Sequence, residues 1–403
     1  MNLPRIVYKS LRQHILSTTV TAISVALGGG LLMSVWAVKE QSLAAFTGVN
    51  AGFDAVLGAR GSKLQLVLNA IFHLEASPGN VAWADYQDIQ KSPTVDLAIP
   101  LAVGDNFHGY RLVGTTPELF SRVEYAPAKH YEVESGGRLF DPTLRETVVG
   151  SFAARKLGLK PGDTFHPFHG LTFDEKNQHA ETYVVVGILK PSNTPADRVL
   201  WIPLAGIQRM SGHDPKAATD VSAVLVKFKA SSATAGFQMD LMYNKQGNRL
   251  TFAWPIGGVM AELFNKIGWF DRVLALISYL VALVATASIL ASIYNSMNER
   301  RREIAILRAL GARRMTIVSA ILLEAAAISA LGMVIAFGFY ATIMTVIAGI
   351  IREQTGVVLE PWQFNMVMLW APAALISLGA LAGIIPAFKA YRTDVAEYLT
   401  PTS

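Results

Sequence analysis

Histidines are the residues of this chain best suited to chemistry. Seven of the eight lie between positions 39 and 272, and His166, His169 and His179 fall close together beside acidic residues. Imidazole and carboxylate groups in one segment suit zinc or copper. The other interpretation is a polar hairpin tip on a water-facing domain, because loops commonly carry scattered histidines.

We expect no structural metal at these histidines, with loose or transient binding as the fallback. Pro167 and Gly170 favour a bent loop that could bring the rings of His166 and His169 together. His179, however, lies beyond the polar stretch DEKNQ, which is typical of a mobile hairpin tip. Mobility raises the entropic cost of assembling a site.

Other catalytic signatures are missing from the sequence. The chain has no cysteine, which excludes disulfides, thiolate catalysis and cysteine-ligated metals. It has no G-x-x-x-x-G-K-[ST] phosphate loop, no HExxH helix and no GxSxG elbow. The triplet Gly28-Gly29-Gly30 lies inside an apolar run, where small residues let helices approach closely. We therefore expect a non-catalytic chain that binds no cofactor itself.

The composition indicates a membrane protein. Hydrophobic residues make up 52% and charged residues 16%, and the mean hydropathy is +0.35. Four long runs are nearly free of charge, and a helix needs about 20 apolar residues to cross the hydrocarbon core. We predict four transmembrane helices at 15–38, 273–298, 315–351 and 362–388. The first run is too long for a signal peptide and has no A-x-A-like cleavage site, so we expect it to remain as an anchor.

Basic residues set the predicted orientation. The segment 1–14 carries three basic residues and no acid, and the loop 299–314 carries six arginines against two glutamates. The positive-inside rule places both on the cytoplasmic side. The tail 389–403 must lie on the same side, since four crossings return the chain to where it started. The segment 39–272 then lies outside, and its 23 basic and 23 acidic residues cancel. The net charge of +5 is therefore a topology signal and does not indicate nucleic-acid binding.

The outer segment, 39–272, alternates β-like and helical runs, as α+β domains do. Strands are predicted at 95–103 and 110–114, separated by the turn residues Gly104, Asp105 and Asn106, and further strands at 146–150, 182–190, 199–203 and 221–229. Residues 257–272 are amphipathic and predict a stalk that leads into the second span. The fold class is thus an α-helical membrane protein with four transmembrane helices and an α+β domain inserted between the first two.

The most specific pattern is the cytoplasmic stretch NERRREIAILRALGARR at 298–314. Ile304, Leu307 and Leu310 recur at helical spacing and are framed by arginines. An apolar stripe of this kind suits a helix that docks into a partner's groove. The alternative is a simple positive-inside anchor, which needs the charge but not the stripe.

Glu324 is a second unusual residue, because it lies early in the third apolar run, where a carboxylate is costly. It could be an interior polar contact that couples helix movement. It could equally lie near the cytoplasmic interface, reached by water or paired with a basic side chain.

The pattern E-R-R-x-E-I-x-x-L-R-A-L-G-A, from Glu299 onward, resembles the hallmark of FtsX-like permeases of ABC transporters. These are the MacB-type, or type VII, transporters, which include the LolC and LolE permeases. Glu324 stands where such proteins carry a glutamate, and GIIPAFKAYRTDVAEYL near the C-terminus resembles their ending. The order of one span, a large periplasmic domain and three spans also agrees. Within that domain, VVGSFAARKLGLKPGDTF and YVVVGILKPSNTPADRVLWIPL resemble the MacB-like periplasmic core.

The resemblance implies a mechanotransmitting permease subunit in the bacterial inner membrane, with its large domain in the periplasm. Only 14 residues precede the first span, so we expect ATP and Mg on a separate ATPase subunit. The residues expected to couple to that ATPase are Glu299, Arg300, Arg301, Arg302, Glu303, Ile304, Leu307, Arg308, Leu310 and Gly311.

The resemblance also implies a second permease copy, forming a homodimer, and a periplasmic substrate or adaptor protein as a further partner. Export or extraction of a substrate is the leading function. The alternatives are regulation of a periplasmic partner or enzyme, and a metal-handling, zinc-linked transport component.

Overall fold

A computed structural model describes residues 3–213, 218–299, 305–306, 308–309 and 311–391. They form two units. The helical unit comprises the described parts of Met1–Gln41, Ile267–Gly349 and Glu360–Ser403, and the sheet unit comprises those of Ser42–Lys266 and Ile350–Leu359.

The α-helices are, in chain order, α1 (Leu3–Gln13), α2 (Ile15–Gly48), α3 (Lys63–Ala70), α4 (Trp83–Gln90), α5 (Glu118–Ser121), α6 (Ser151–Leu157), α7 (Leu204–Gln208), α8 (Ala235–Asp240), α9 (Ile256–Lys266), α10 (Gly268–Glu299), α11 (Arg314–Thr355), α12 (Val367–Ala382) and α13 (Ile384–Tyr391). Short 3-10 helices cover Glu175–Asn177 and Pro195–Arg198, and a π-helix covers Leu241–Gln246.

The strands are β1 (Ala55–Ala59), β2 (Val95–Phe107), β3 (Tyr110–Thr115), β4 (Glu124–Ala126), β5 (Lys129–His130), β6 (Glu146–Val149), β7 (Thr164–Phe165), β8 (Phe168–His169), β9 (Tyr183–Ile188), β10 (Leu200–Pro203), β11 (Ala223–Phe228) and β12 (Leu250–Ala253).

Four helical stretches of the described chain are long and apolar enough to cross a membrane, as predicted: Ile15–Gly48, Gly268–Asn295, Arg314–Thr355 and Val367–Lys389. The first helix continues ten residues past the predicted end at Val38. The last begins at Val367 instead of residue 362, and the side chain of Asn365 accepts a hydrogen bond from the Val367 amide at 3.1 Å. This contact satisfies one of the free amides at the helix start.

Glycines let the helices of the helical unit approach closely. A Cβ added at Gly30 would lie 2.8 Å from the Cβ of Phe339, and one added at Gly332 would lie 2.7 Å from the Cβ of Val25. Both glycines therefore occur where α2 and α11 touch, and a larger residue would force them apart. The prediction that the Gly28-Gly29-Gly30 triplet serves helix packing is confirmed.

The sheet unit contains a ten-stranded sheet in the order β12-β1-β11-β2-β3-β10-β6-β9-β7, with β8 paired to β2. Alternate residues of each strand enter two apolar cores. Val56 of β1 packs in one core, and its neighbours Ala55 and Leu57 pack in the other. The sheet thus lies between two apolar layers, as expected for an α+β domain.

Strand β2 joins the two halves of this sheet. Its first part pairs with β11, from Val95 to Leu101, and its second part pairs with β3, from Ala102 to Phe107. The far end of β2 also pairs with β8.

The predicted turn at Gly104, Asp105 and Asn106 is wrong. Strand β2 continues through these residues, and the chain turns at His108 and Gly109, both of which have positive φ. The register of β2 and β3 shifts between Val103 and Asp105, so a bulge takes up the extra residue. The polar residues that suggest a turn are instead held inside the sheet by their own hydrogen bonds.

Several other boundaries differ from the predicted ones. The strands expected at 146–150, 182–190, 199–203 and 221–229 are present as β6, β9, β10 and β11, each somewhat shorter. Strands β1 and β12, which pair with each other, are not predicted. The expected stalk at 257–272 is two helices, because α9 ends at Lys266 and α10 begins at Gly268.

Candidate functional site

Three imidazoles of the sheet unit converge on one buried carboxylate, and we call the four residues the histidine cluster: Asp105, His169, His179 and His213. The Oδ1 atom of Asp105 lies 3.1 Å from Nε2 of His179, 3.1 Å from Nε2 of His213 and 3.3 Å from Nδ1 of His169. One possible ligand atom from each residue lies within 4.8 Å of the other three. The carboxylate is fully buried, whereas the His169 side chain is 53% exposed.

Strand pairing places Asp105 against His169. The two residues are direct partners where β2 and β8 run antiparallel. The neighbouring Asn106 amide donates to the carbonyls of Phe168, Gly170 and Thr172 at 3.3, 2.9 and 3.2 Å. Three bonds from one buried side chain hold the hairpin that carries His169 against the strand that carries Asp105.

His179 is buried beside this hairpin. Its backbone amide donates to the Pro167 carbonyl at 2.8 Å, and only 7% of the residue is exposed. The preceding polar stretch contains a 3-10 turn in which Asp174 accepts from the Lys176 amide at 3.1 Å. The expectation of no structural metal was based on a mobile hairpin tip at His179. Because His179 is buried and hydrogen-bonded, that argument does not apply.

His213 reaches the cluster from the loop that follows α7. Its Nδ1 lies 2.9 Å from the Ile207 carbonyl. The Glu181 carboxylate accepts from the Ser211 amide at 2.8 Å and from the Ser211 hydroxyl at 2.9 Å, which fixes this loop. The hydrogen bond with Asp105 raises the pKa of the His213 imidazole above its ordinary value.

The structure brings together only part of the predicted histidine group. His169 and His179 belong to the cluster, but His166 is exposed and its Nδ1 lies 3.1 Å from the Glu181 carbonyl. Asp105 and His213 are missing from the prediction. Asp105 was assigned to a turn, and His213 is distant along the chain. The excess of histidines in the outer segment is the one sequence signal that points to them.

The donor set of the cluster is three imidazoles and one carboxylate. Zinc is bound in proteins by such nitrogen and oxygen ligands, most often four in a tetrahedral arrangement. Magnesium and calcium prefer all-oxygen sites. The cluster is therefore suited to a divalent transition-metal ion.

Most of the predicted ATPase-coupling residues lie outside the described part of the chain. Arg300, Arg301, Arg302, Glu303, Ile304, Leu307 and Leu310 lie outside the described residues, and of Glu299 only the helical backbone is described. Residues 305–306 and 308–309 are helical. The Gly311 amide donates to the Arg308 carbonyl at 3.0 Å, and Gly311 has a φ of +94°. A glycine in this conformation commonly follows the end of a helix.

Glu324 is buried within the helical unit, with 9% of the residue exposed. The hydroxyl of Ser10 in α1 donates a hydrogen bond to its Oε1 atom. The carboxylate thus links the N-terminal helix to α11.

The chain has an α+β domain inserted after the first of four apolar helices, and comparison with known families identifies both parts. The model of the MacB-like periplasmic core domain matches residues 18–241, more than half of the chain, and the model of the FtsX-like permease C-terminal domain matches residues 275–395. The chain therefore belongs to the FtsX-like, MacB-type family of ABC transporter permeases. It is a membrane protein with a periplasmic-type domain.

Two curated relatives are similar over nearly all of this chain. Both are macrolide export ATP-binding/permease proteins MacB, from Brucella abortus (strain 2308) and Brucella melitensis biotype 1. Each is 25% identical, and the alignments cover 95% of this chain and 58% of the relative. The chain thus spans somewhat over half the length of these relatives.

Two solved structures also resemble parts of the chain. The periplasmic region of MacB from Actinobacillus actinomycetemcomitans has 11% identity and a TM-score of 0.36, covering 54% of this chain and 94% of that one. The extracellular domain of the ABC-type transporter YknZ from Gram-positive bacteria has 17% identity and a TM-score of 0.31, covering 49% of this chain and 99% of that one.

Proposed function

We propose that this chain is the permease subunit of an ABC transporter in the bacterial inner membrane, and that it couples ATP hydrolysis on a partner subunit to movement of its periplasmic domain. The observation that carries the proposal is the order of the two family matches. The core-domain match ends before α10, and the permease match covers α10 to α13. ATP and Mg would bind to the ATPase, which would dock on the segment at 298–314.

The apolar stripe of Ile304, Leu307 and Leu310 would supply that docking contact. A carboxylate placed in an apolar groove costs several kcal/mol unless it is paired. We therefore expect the double variant Ile304→Asp, Leu307→Asp to insert in the membrane normally but to lose its ATPase subunit. Ala309→Asp is the control, because Ala309 is exposed and one carboxylate is added to the same segment off the apolar stripe.

The test is purification of the tagged full chain from its native membranes in mild detergent. A nucleotide-binding subunit and ATP hydrolysis should accompany the unaltered chain and the control, and both should be lost from the double variant. An ATPase that stays bound to the double variant would contradict docking on the stripe. Absence of any ATPase from the unaltered chain would contradict the transporter assignment.

Orientation can be tested with the cysteine-free chain. A cysteine introduced at the exposed Ser231 of the sheet unit should react with an impermeant thiol reagent added outside intact spheroplasts. One at Ala309 should react only after the membrane is opened. Reversed labelling would overturn the orientation.

Export or extraction of a substrate is the activity that this arrangement supports best. The names of the Brucella relatives state macrolide export for those proteins. Regulation of a periplasmic partner would use the same ATPase complex, so a substrate must be sought separately. We also propose that two copies of the permease assemble, which cross-linking of the purified complex would test.

A further inference from the structure

We propose that Asp105, His169, His179 and His213 bind one zinc ion. The argument starts from distances. A tetrahedral zinc ion holds nitrogen and oxygen ligands at about 2.0–2.1 Å, so its ligand atoms lie about 3.3 Å apart. The three nitrogen-to-oxygen distances in the cluster, 3.1, 3.1 and 3.3 Å, approach that edge length. All four ligand atoms lie within 4.8 Å of one another, so small side-chain rotations would bring the wider pairs to the same spacing.

The carboxylate of Asp105 also needs a positive partner. It is fully buried, and its only ion-pair partners among the described residues are the three histidines. No protein group in the described parts of the chain hydrogen-bonds to its Oδ2 atom. A buried carboxylate is costly unless it is paired or coordinates a metal. Neutral imidazoles supply no charge, whereas a divalent ion would.

The tautomer of His213 points the same way. A carbonyl oxygen can only accept a hydrogen bond, so the Nδ1 atom that lies 2.9 Å from the Ile207 carbonyl must carry a proton. In the neutral ring, Nε2 then presents its lone pair towards Asp105 Oδ1. Two lone pairs at 3.1 Å repel each other unless a proton or a metal ion lies between them. A backbone carbonyl on the far nitrogen is also the usual way of orienting a metal-binding histidine.

Charging the histidines instead would place several cations side by side. The three ring centroids lie 5.1 to 5.4 Å apart. A single imidazolium would neutralise the carboxylate but would leave the other two rings without a shared partner, whereas one dication engages three neutral rings and the carboxylate together.

Zinc is the metal that this donor set favours. Three imidazoles and a carboxylate match its preference for nitrogen and oxygen ligands, and the compact packing around one point suits a tetrahedral ion better than the tetragonal geometry of Cu(II). All four positions would be filled by protein atoms, so the ion would be held rather than used for hydrolysis.

The ion has a path to the site. His169 and His213 line a cavity of about 320 Å³ together with Gly104 and Asp220. His169 is the most exposed ligand of the four. Zinc can therefore enter and leave without unfolding the sheet, and the site would respond to the zinc concentration outside the cell membrane.

The first test measures zinc binding by the full chain in detergent, with a tag that contains no histidine. The protein is stripped with a chelator, incubated with zinc chloride alone and passed through a desalting column before metal analysis. We expect about one zinc per chain, and a Co²⁺-substituted sample should show the visible spectrum of tetrahedral coordination. Less than a fifth of an equivalent would overturn the proposal.

Variants decide which residues bind. The double variant His169→Gln, His213→Gln should lose the zinc, whereas His130→Gln and His166→Gln should keep it. Asp105 is buried, so Asp105→Asn is informative only if circular dichroism matches the parent. His169 is half-exposed, so His169→Gln tests the site without altering a buried residue. Equal zinc in the double variant and the parent would contradict the site.

A second readout concerns the loops that carry the ligands. Zinc should slow amide hydrogen exchange in 168–179 and 209–213 of the parent but not of the double variant. Unchanged exchange in the parent, despite bound zinc, would mean that the ion lies elsewhere.

Discussion

The imidazole Nε2 of His179 lies 3.1 Å from the carboxylate Oδ1 of Asp105, although 74 residues separate the two along the chain. Both groups are buried, and two further imidazoles reach the same oxygen. The buried carboxylate of Asp105 needs a neutralising partner. If that partner is a metal ion, the periplasmic-type domain of this permease is also a metal-binding domain.

Glu181 should tune the zinc site without contacting the ion. It holds the loop of His213 by accepting two hydrogen bonds from Ser211. Groups that orient metal ligands typically contribute about 10–100-fold to metal affinity. Glu181→Ala should therefore weaken zinc binding by that factor in a competition assay with a chromophoric chelator. Glu132→Ala, at an exposed carboxylate paired with Lys190, is the matched control and should change nothing.

His73 should make the sheet unit less stable in mild acid. Burial, and then the charges of Arg111 and Arg198, lower the pKa of His73 from 6.5 to about 3. Below pH 6.5 the unfolded chain therefore binds a proton that the folded chain does not. This component of stability is present above pH 6.5 and is lost at about 1.4 kcal/mol per pH unit as the pH falls towards 3.

The measurement is the unfolding midpoint of the full chain at pH 7.5 and 5, followed by tryptophan fluorescence. His73 packs against Trp201, with ring centroids 5.5 Å apart. His73→Asn should reduce the difference between the two midpoints, because asparagine does not titrate and tolerates the positive φ of this position. The same pH dependence in parent and variant would show that His73 is protonated in the folded chain.

Gly332 and Gly338 offer a matched test of helix packing on α11. A methyl group at Gly332 would meet Val25 and the Ala22 carbonyl, whereas one at Gly338 would meet no described atom within 4 Å. Overpacking costs about 1–3 kcal/mol. Gly332→Ala should lower the thermal midpoint of the purified chain, and Gly338→Ala should not lower it, because alanine is the better helix former and meets nothing there. Equal midpoints would mean that α2 and α11 are less closely packed.

The contact between Ser10 and Glu324 should stabilise the helical unit. A typical intramolecular hydrogen bond contributes about 0.5–1.5 kcal/mol. Ser10→Ala should therefore lower the thermal midpoint and reduce any ATP hydrolysis by the complex. Ser24→Ala is the control, since the exposed Ser24 hydroxyl donates only to the Val20 carbonyl of its own helix. If both variants behave alike, the contact does not contribute.

The sequence predicts the membrane helices well because their signal is local. A run of apolar residues causes membrane insertion and is also directly visible in the sequence. The four helices and the inserted domain are confirmed. Their ends are less predictable, since they depend on local hydrogen bonds such as the one from the Val367 amide to the Asn365 side chain.

The histidine cluster is harder to predict because it depends on pairing between distant segments. Gly104, Asp105 and Asn106 have turn-like identities, yet the bulge in β2 and the three hydrogen bonds of Asn106 keep them in a strand. Composition alone contains neither of these facts. His213 follows His169 by more than forty residues, and only the path of α7 over the sheet returns it to Asp105.

The contact between α2 and α11 has a mechanical consequence. At Gly30 and Gly332 the two helices approach so closely that neither position has room for a side chain. A layer of long side chains can deform and absorb part of a displacement, whereas close-packed backbones resist compression. A displacement of α11 along its axis should therefore be transmitted to α2 almost completely, and the two helices should move as one rigid body.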